Sequence, residues 1–155
     1  MSEPLFSSTA RLTRPFQLLI GGIIALQIGI AFLVRLFPDD DDDGILLSLI
    51  VPGLVLLMCL SILAATTRLT ITPNQVKVKT FGIFSTTINR EDIQDAWGGK
   101  PTGLGAGAGL RIMGNNTTGY LTGGPCIAIK TLDGATTVVS TPRPEEAVTA
   151  LKSRS

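Results

Sequence analysis

The stretch FQLLIGGIIALQIGIAFLV, residues 16–34, and its counterpart ILLSLIVPGLVLLMCLSILAA, residues 45–65, contain no charged side chain. As α-helices, runs of 19 and 21 residues reach roughly 28 to 32 Å, about the thickness of a bilayer's hydrocarbon core. Each is long enough to span, so the expected architecture is a two-helix transmembrane hairpin. Between the runs stand Asp39, Asp40, Asp41, Asp42 and Asp43, a turn too charged to enter lipid. Outward from this hairpin the chain divides into an N-terminal tail, residues 1–15, the hairpin itself, 16–66, with an acidic external loop at 37–44, and a single compact domain, 67–155.

Cations set the expected orientation. Arg11 and Arg14 precede the first run, and Arg68, Lys77 and Lys79 follow the second, whereas the loop side carries only Arg35. Lys and Arg are retained in the cytoplasm, so both termini are expected there, in a multi-pass protein of the plasma (inner) membrane. A cleaved signal peptide fits less well. Its apolar core is normally 7 to 15 residues, and Leu33-Val-Arg-Leu-Phe37 offers no small-x-small cleavage site.

Several chemistries are excluded early. The chain has no histidine, the commonest general base and metal ligand. Cys59 lies within the second run and Cys126 in a β-rich stretch, so they do not form a disulfide framework. From Arg68 onward ten basic side chains face six acidic ones, a net +4. That is mildly basic, suited to an anionic leaflet and far from a nucleic-acid-binding composition.

Past Arg68 the hydrophobic period changes from helical to two. Leu69 and Ile71 alternate with threonines, Pro73-Asn74-Gln75 turns, and Val76 and Val78 alternate with Lys77 and Lys79. Further strands are expected at Phe84–Ile88, Ile93–Trp97 and Leu110–Met113. Cys126–Leu132 and Ala135–Ser140 flank Asp133-Gly134, a strong hairpin signal. A closing helix opens at Thr141-Pro142 and Pro144, carries Glu145 and Glu146 in its first turn, and turns Ala147, Val148 and Leu151 inward. The fold class expected is therefore a transmembrane hairpin followed by a mostly β domain of about seven strands in two sheets with a C-terminal helix.

That element order resembles the pleckstrin-homology (PH) superfold. Leu69-Thr-Ile-Thr-Pro-Asn-Gln-Val-Lys-Val-Lys79, Phe81-Gly-Ile-Phe84 and Ile88-Asn-Arg-Glu-Asp-Ile93 are similar to the opening of bacterial PH-like domains that follow paired membrane helices. Gly124-Pro125, Leu132-Asp-Gly134 and Ser140-Thr-Pro-Arg-Pro-Glu-Glu-Ala147 resemble the closing hairpin and helix of actinobacterial members. The resemblance implies architecture and a binding or scaffolding role, with no catalytic signature.

Candidate sites are few. Arg68, Lys77 and Lys79 are the candidates for lipid-surface contact, expected to be weak and salt-sensitive. Gly98, Gly99, Gly103, Gly105, Gly107 and Gly109 read as a flexible interstrand loop. They lack the strand-to-helix context of a dinucleotide site, and Lys100 and Arg111 flank them as the candidates for a partner loop. Gly21, Ala25 and Gly29 recur every four residues, a small-residue stripe expected to pack against the second span, with self-association as the alternative. The acidic run begins like a calcium loop, D-x-D-x-D-G, but position twelve is Ile50, so no metal site is expected. Glu91, Asp92 and Asp95 sit on a polar corner without a recognisable catalytic arrangement. The functional expectation is a non-enzymatic, cofactor-free, membrane-anchored binding or scaffolding protein. It contacts a protein partner, its own copies or the anionic lipid surface, and no nucleic acid or small-molecule substrate. An accessory subunit of an envelope or transport complex is the alternative, with an enzyme of unrecognised type behind it.

Overall fold

The computed structural model describes residues 4–36 and 42–153. In chain order these form β1 (Phe6–Arg11), α1 (Arg14–Leu36), α2 (Asp42–Leu63), β2 (Thr66–Ile71), β3 (Gln75–Thr80), β4 (Phe84–Asn89), β5 (Ile93–Thr102), β6 (Gly109–Ile112), β7 (Thr117–Leu121), β8 (Gly124–Thr131), β9 (Thr136–Ser140) and α3 (Pro144–Lys152). The chain separates into two compact units, α1 with α2 over residues 14–64, and a β-unit built from residues on both sides of them. Most of the acidic loop, residues 37–41, lies outside the described residues.

α1 is long and apolar enough to cross a bilayer, 23 residues or about 34 Å. Its apolar side chains are open, Leu18 at 76% and Phe32 at 67%, unlike the core helix of a soluble domain. In α2 the described apolar stretch runs Ile50–Leu63 around an internal Pro52. Between the two helices, Ile24, Gln27, Ile28 and Ala31 face Pro52, Gly53 and Leu56 across a gap of about 130 Å³. The small-residue stripe does not line this gap. A methyl group built on Gly21 or Gly29 would meet nothing within 4 Å, and Ala25 is exposed. The stripe lies on a different side of α1 from the helix contact, because positions 24, 28 and 31 follow one face of a 3.6-residue helix and 21, 25 and 29 another.

The β-unit holds two sheets, ordered β1-β2-β3-β4 and β5-β8-β9-β7-β6. All seven expected strands are present, and two more were not foreseen. The N-terminal segment, expected as a tail, forms β1 and pairs antiparallel with β2 from Phe6↔Ile71 to Arg11↔Thr66. Between the expected strands Leu110–Met113 and Cys126–Leu132, Thr117–Leu121 forms β7, which pairs antiparallel with β6 and parallel with β9. The glycine-rich segment also differs from expectation. β5 extends through Gly98 and Gly99 to Thr102, leaving only residues 103–108 as connection. A Cβ at Gly99 would stand 2.7 Å from the Cys126 Sγ, so this close strand approach requires glycine.

The sheets enclose one core. Leu69, Ile71, Val76 and Val78 from the first meet Ala96, Tyr120, Ile127, Ile129 and Val139 from the second. α3 closes it with Ala147 and Leu151, as its apolar spacing predicts, and Phe6 adds a side chain from β1. Each fully buried aliphatic contributes about 1.5 to 3 kcal/mol. At the C-terminal end of α3, the Arg90 Nη2 donates to the carbonyls of Ala150, Leu151 and Ser153 at 2.8 to 3.0 Å. It satisfies carbonyls that a helix end leaves open and ties the β4–β5 corner to α3.

Candidate functional site

Strand alternation places Phe6, Ser8, Ala10, Thr67, Leu69, Ile71, Val76, Val78 and Thr80 inside the β-unit and their neighbours outside. The outer face of the first sheet therefore reads in rows. At its end Arg11 faces Thr66. Two residues further in, Thr9, Arg68, Lys79 and Ser85 lie side by side across four strands. The next row is Ser7, Thr70, Lys77 and Thr87. Four cations and a field of hydroxyls share this face, and no Asp or Glu occurs in β1 to β4.

Arg68 and Lys79 are direct cross-strand partners. Like charges in that position repel, so the arrangement is locally unfavourable without a counter-charge. Among the described residues the ion pairs are Arg143–Glu146 at 2.9 Å and Lys152–Asp95 at 3.8 Å, and neither involves the four cations of this face. The contrast with the second sheet is informative, since Asp95 there stands opposite Lys130, a matched pair.

Beside the first two rows, an open groove of about 620 Å³ runs past the edge of β1. Arg11, Arg68, Thr9 and Thr13 line one side, with Gly123, Pro125, Thr141 and Pro142 on the other. Ser8 and Thr141 share a buried hydrogen bond of 2.9 Å beneath it, and the Thr13 N–H donates to the Thr122 carbonyl at 3.2 Å. Arg11 completes the cationic face and was not among the site residues expected from sequence. Its signal was present, because Phe6, Ser8 and Ala10 alternate with Ser7, Thr9 and Arg11, but serine and threonine on both faces blur the period.

The acids gather at the opposite end of the β-unit. Arg90 N–H donates to Asn74 O in the β2–β3 turn, and Leu132 N–H to Asp92 O, which brings Glu91, Asp92, Asp95 and Asp133 together there. Glu91 and Asp95 line an open cleft of about 680 Å³ with Arg90 and Lys152. Of its charges, Arg90 is engaged by α3 and Asp95 by Lys152. The Asp133 carboxyl accepts from the Thr131 hydroxyl and the Ala135 N–H, which hold it below the usual carboxylate range. Among the described residues no three His, Cys, Asp or Glu side chains converge as a metal site.

The remaining candidates, Lys100 and Arg111, lie on different strands. Lys100 is exposed on β5, and its carbonyl accepts from the Cys126 thiol at 3.1 Å. Burial pushes that thiol's pKa up. Arg111, on β6, folds its guanidinium over Gly107, where a built Cβ would lie 2.1 Å from Nη2. Comparison of the chain with protein-family models gives no match, and comparison with curated proteins gives none either.

Proposed function

We propose that the chain is a two-span membrane protein whose β-unit is a non-enzymatic, PH-like anchoring or scaffolding module held against an anionic cytoplasmic leaflet. One observation carries the membrane part of this reading. β1 and β2 flank residues 12–65 in sequence and are neighbours in one sheet, with Arg11 opposite Thr66. Two strands of one sheet lie on one side of a membrane, so the chain between them crosses an even number of times. If α1 crosses, α2 must return, and its 22 residues reach about 33 Å, enough for the hydrocarbon core. The same pairing disfavours a cleaved leader, because cleavage after α1 would strip a strand from the sheet. Arg11 before α1 and Arg14 at its first position, with Arg68, Lys77 and Lys79 after α2, favour the cytoplasm for that side. Two packed sheets closed by α3 support the PH-like assignment, with β1 and β7 as additions to its seven-strand plan.

The cationic face gives the module its ligand. Only Leu12 and Thr13 separate β1 from α1, and Ala64 and Ala65 separate α2 from β2. Three Cα steps from Arg14 to Arg11 span at most about 11 Å, so the end row of the sheet is tethered near the bilayer surface. At roughly 3.3 Å per residue, the Arg68–Lys79 row lies about 7 Å beyond that end and Lys77 about 13 Å. The field of an anionic surface falls off over a Debye length of about 8 Å, so Arg11, Arg68 and Lys79, nearest the tethered end along the strands, should feel it more than Lys77. Each cation near an anionic surface contributes about 1 kcal/mol, or about fivefold in occupancy.

The test uses the whole chain in vesicles of phosphatidylglycerol or of phosphatidylcholine, with an amine-reactive reagent and mass spectrometry. Lys79 should be protected several-fold in the anionic vesicles, Lys77 less, and Lys130 not at all, with protection lost in high salt. Equal reactivity of Lys79 in both lipids rejects the electrostatic reading.

A further inference from the structure

We infer that the β3–β4 turn, Phe81-Gly82-Ile83-Phe84, is an apolar wedge that enters the headgroup and upper acyl region of the bilayer, a contact that rests on the membrane reading above and adds a hydrophobic component to it. A two-strand connection is normally polar, built from Gly, Asn, Asp, Pro and Ser. Here three of four residues are large and apolar. Ile83 is 80% exposed and Phe84 44%. Phe81 has a φ of +56° and Gly82 of +70°, and with Thr80 paired to Phe84 the connecting loop is residues 81–83. A phenylalanine in that left-handed region is a strained choice where Asn or Gly would sit freely. Its ring packs toward Gly109, 3.3 Å from a Cβ built there, and this contact props the turn so that Ile83 stands clear of the sheet.

Position selects the bilayer as the occupant. The Phe81 N–H donates to the Thr66 carbonyl at 3.0 Å, and Thr67 faces Thr80, so the turn adjoins the first residue of β2. That is the end of the sheet at which residues 12–65 leave and return. Lys79 and Arg68 lie one row behind the turn, and Arg11 shares its end of the sheet. An apolar tip backed by cations that have no ion pair among the described residues matches an anionic lipid interface, where acyl chains take the tip and phosphates the cations. The opposite end carries the acids and its own turn, Leu132-Asp133-Gly134, in which Leu132 is 68% exposed. Exposure alone therefore does not distinguish the two turns, and the surrounding charge does.

The whole chain carrying Trp97→Phe and Ile83→Trp, reconstituted in phosphatidylglycerol-containing vesicles, provides the test. Its fluorescence should shift to the blue and be quenched by lipids brominated high in the acyl chain. The matching chain with Trp97→Phe and Leu132→Trp should show neither effect, and quenching at position 83 should persist in salt that removes protection of Lys79. If the chain floats with the vesicles while the tryptophan at position 83 is unquenched, the wedge is refuted and the cationic contact stands. If the chain does not float with the vesicles at all, the wedge and the membrane reading fall together.

Discussion

Gly99 shows what a single missing side chain does for this fold. It lets β5 and β8 approach until the space for a Cβ is taken by the Cys126 Sγ, whose thiol donates to the Lys100 carbonyl. Cys126 is 2% exposed, so the sulfur has little room to give. Gly99→Ala should destabilise the protein by about 1 to 3 kcal/mol through overpacking. In the double variant Gly99→Ala with Cys126→Ala the methyl replaces the sulfur's volume, and the loss should fall short of the sum of the single losses by about 1 kcal/mol. Thermal unfolding of the four proteins in detergent measures this. Additive losses would mean that the strands do not meet at this point.

β1 changes what counts as the soluble part of the chain. The spacing of apolar residues suggested that residues 67–155 form a domain by themselves, but Phe6, Ser8 and Ala10 are buried in that domain from the other side of the helices. Arg143 fastens the strand further, its Nη2 donating to the Ser7 carbonyl at 3.2 Å and its guanidinium lying 5.1 Å from the Phe6 ring centroid. Removing β1 forfeits burial of Phe6, about 2 to 3 kcal/mol, and leaves a long unpaired edge on β2. A fragment of residues 66–155 should therefore aggregate or unfold without cooperativity. Because Arg11 and Thr66 are directly opposite, residues 1–11 joined to 66–155 through Asn-Gly form an ordinary hairpin and should restore a cooperative, mostly β protein by circular dichroism. If both fragments melt alike, β1 is dispensable.

Over the whole molecule, charge and connectivity point the same way. Arg11, Arg68 and Lys79, three cations with no ion pair among the described residues, cluster where the helical insertion joins the sheet, and four of the six acids after Ala65 lie at the other end. With both junctions in one sheet, the proposed topology makes a sharp prediction. In a chain whose native cysteines are replaced by alanine, Asp41→Cys should react with an impermeant maleimide added outside intact cells, and Thr102→Cys should react only after lysis. The reverse pattern would invert the orientation. Labelling of both from outside would contradict any arrangement in which the sheet sits in the cytoplasm.

Local pattern was sufficient where one residue type dominates a period. Nineteen and 21 consecutive uncharged residues can only be apolar helices, and alternation at Leu69–Ile71 and Val76–Lys79, Asp133-Gly134, and the spacing of Ala147 and Leu151 announced the strands, hairpin and helix that are present. The same alternation put Lys77 and Lys79 on an outer face. Tertiary structure alone decided the rest, for a physical reason common to each case. β1 is poor in large apolar residues and gains its stability from a partner distant in sequence, 59 residues away for Thr9 and Arg68. The parallel pairing of β7 with β9 has no local signal, because nothing in either strand encodes the other's direction. Register then brought Arg11, Arg68 and Lys79 to the end that carries Phe81–Phe84, and a grouping of residues from four strands exists only once those strands are paired.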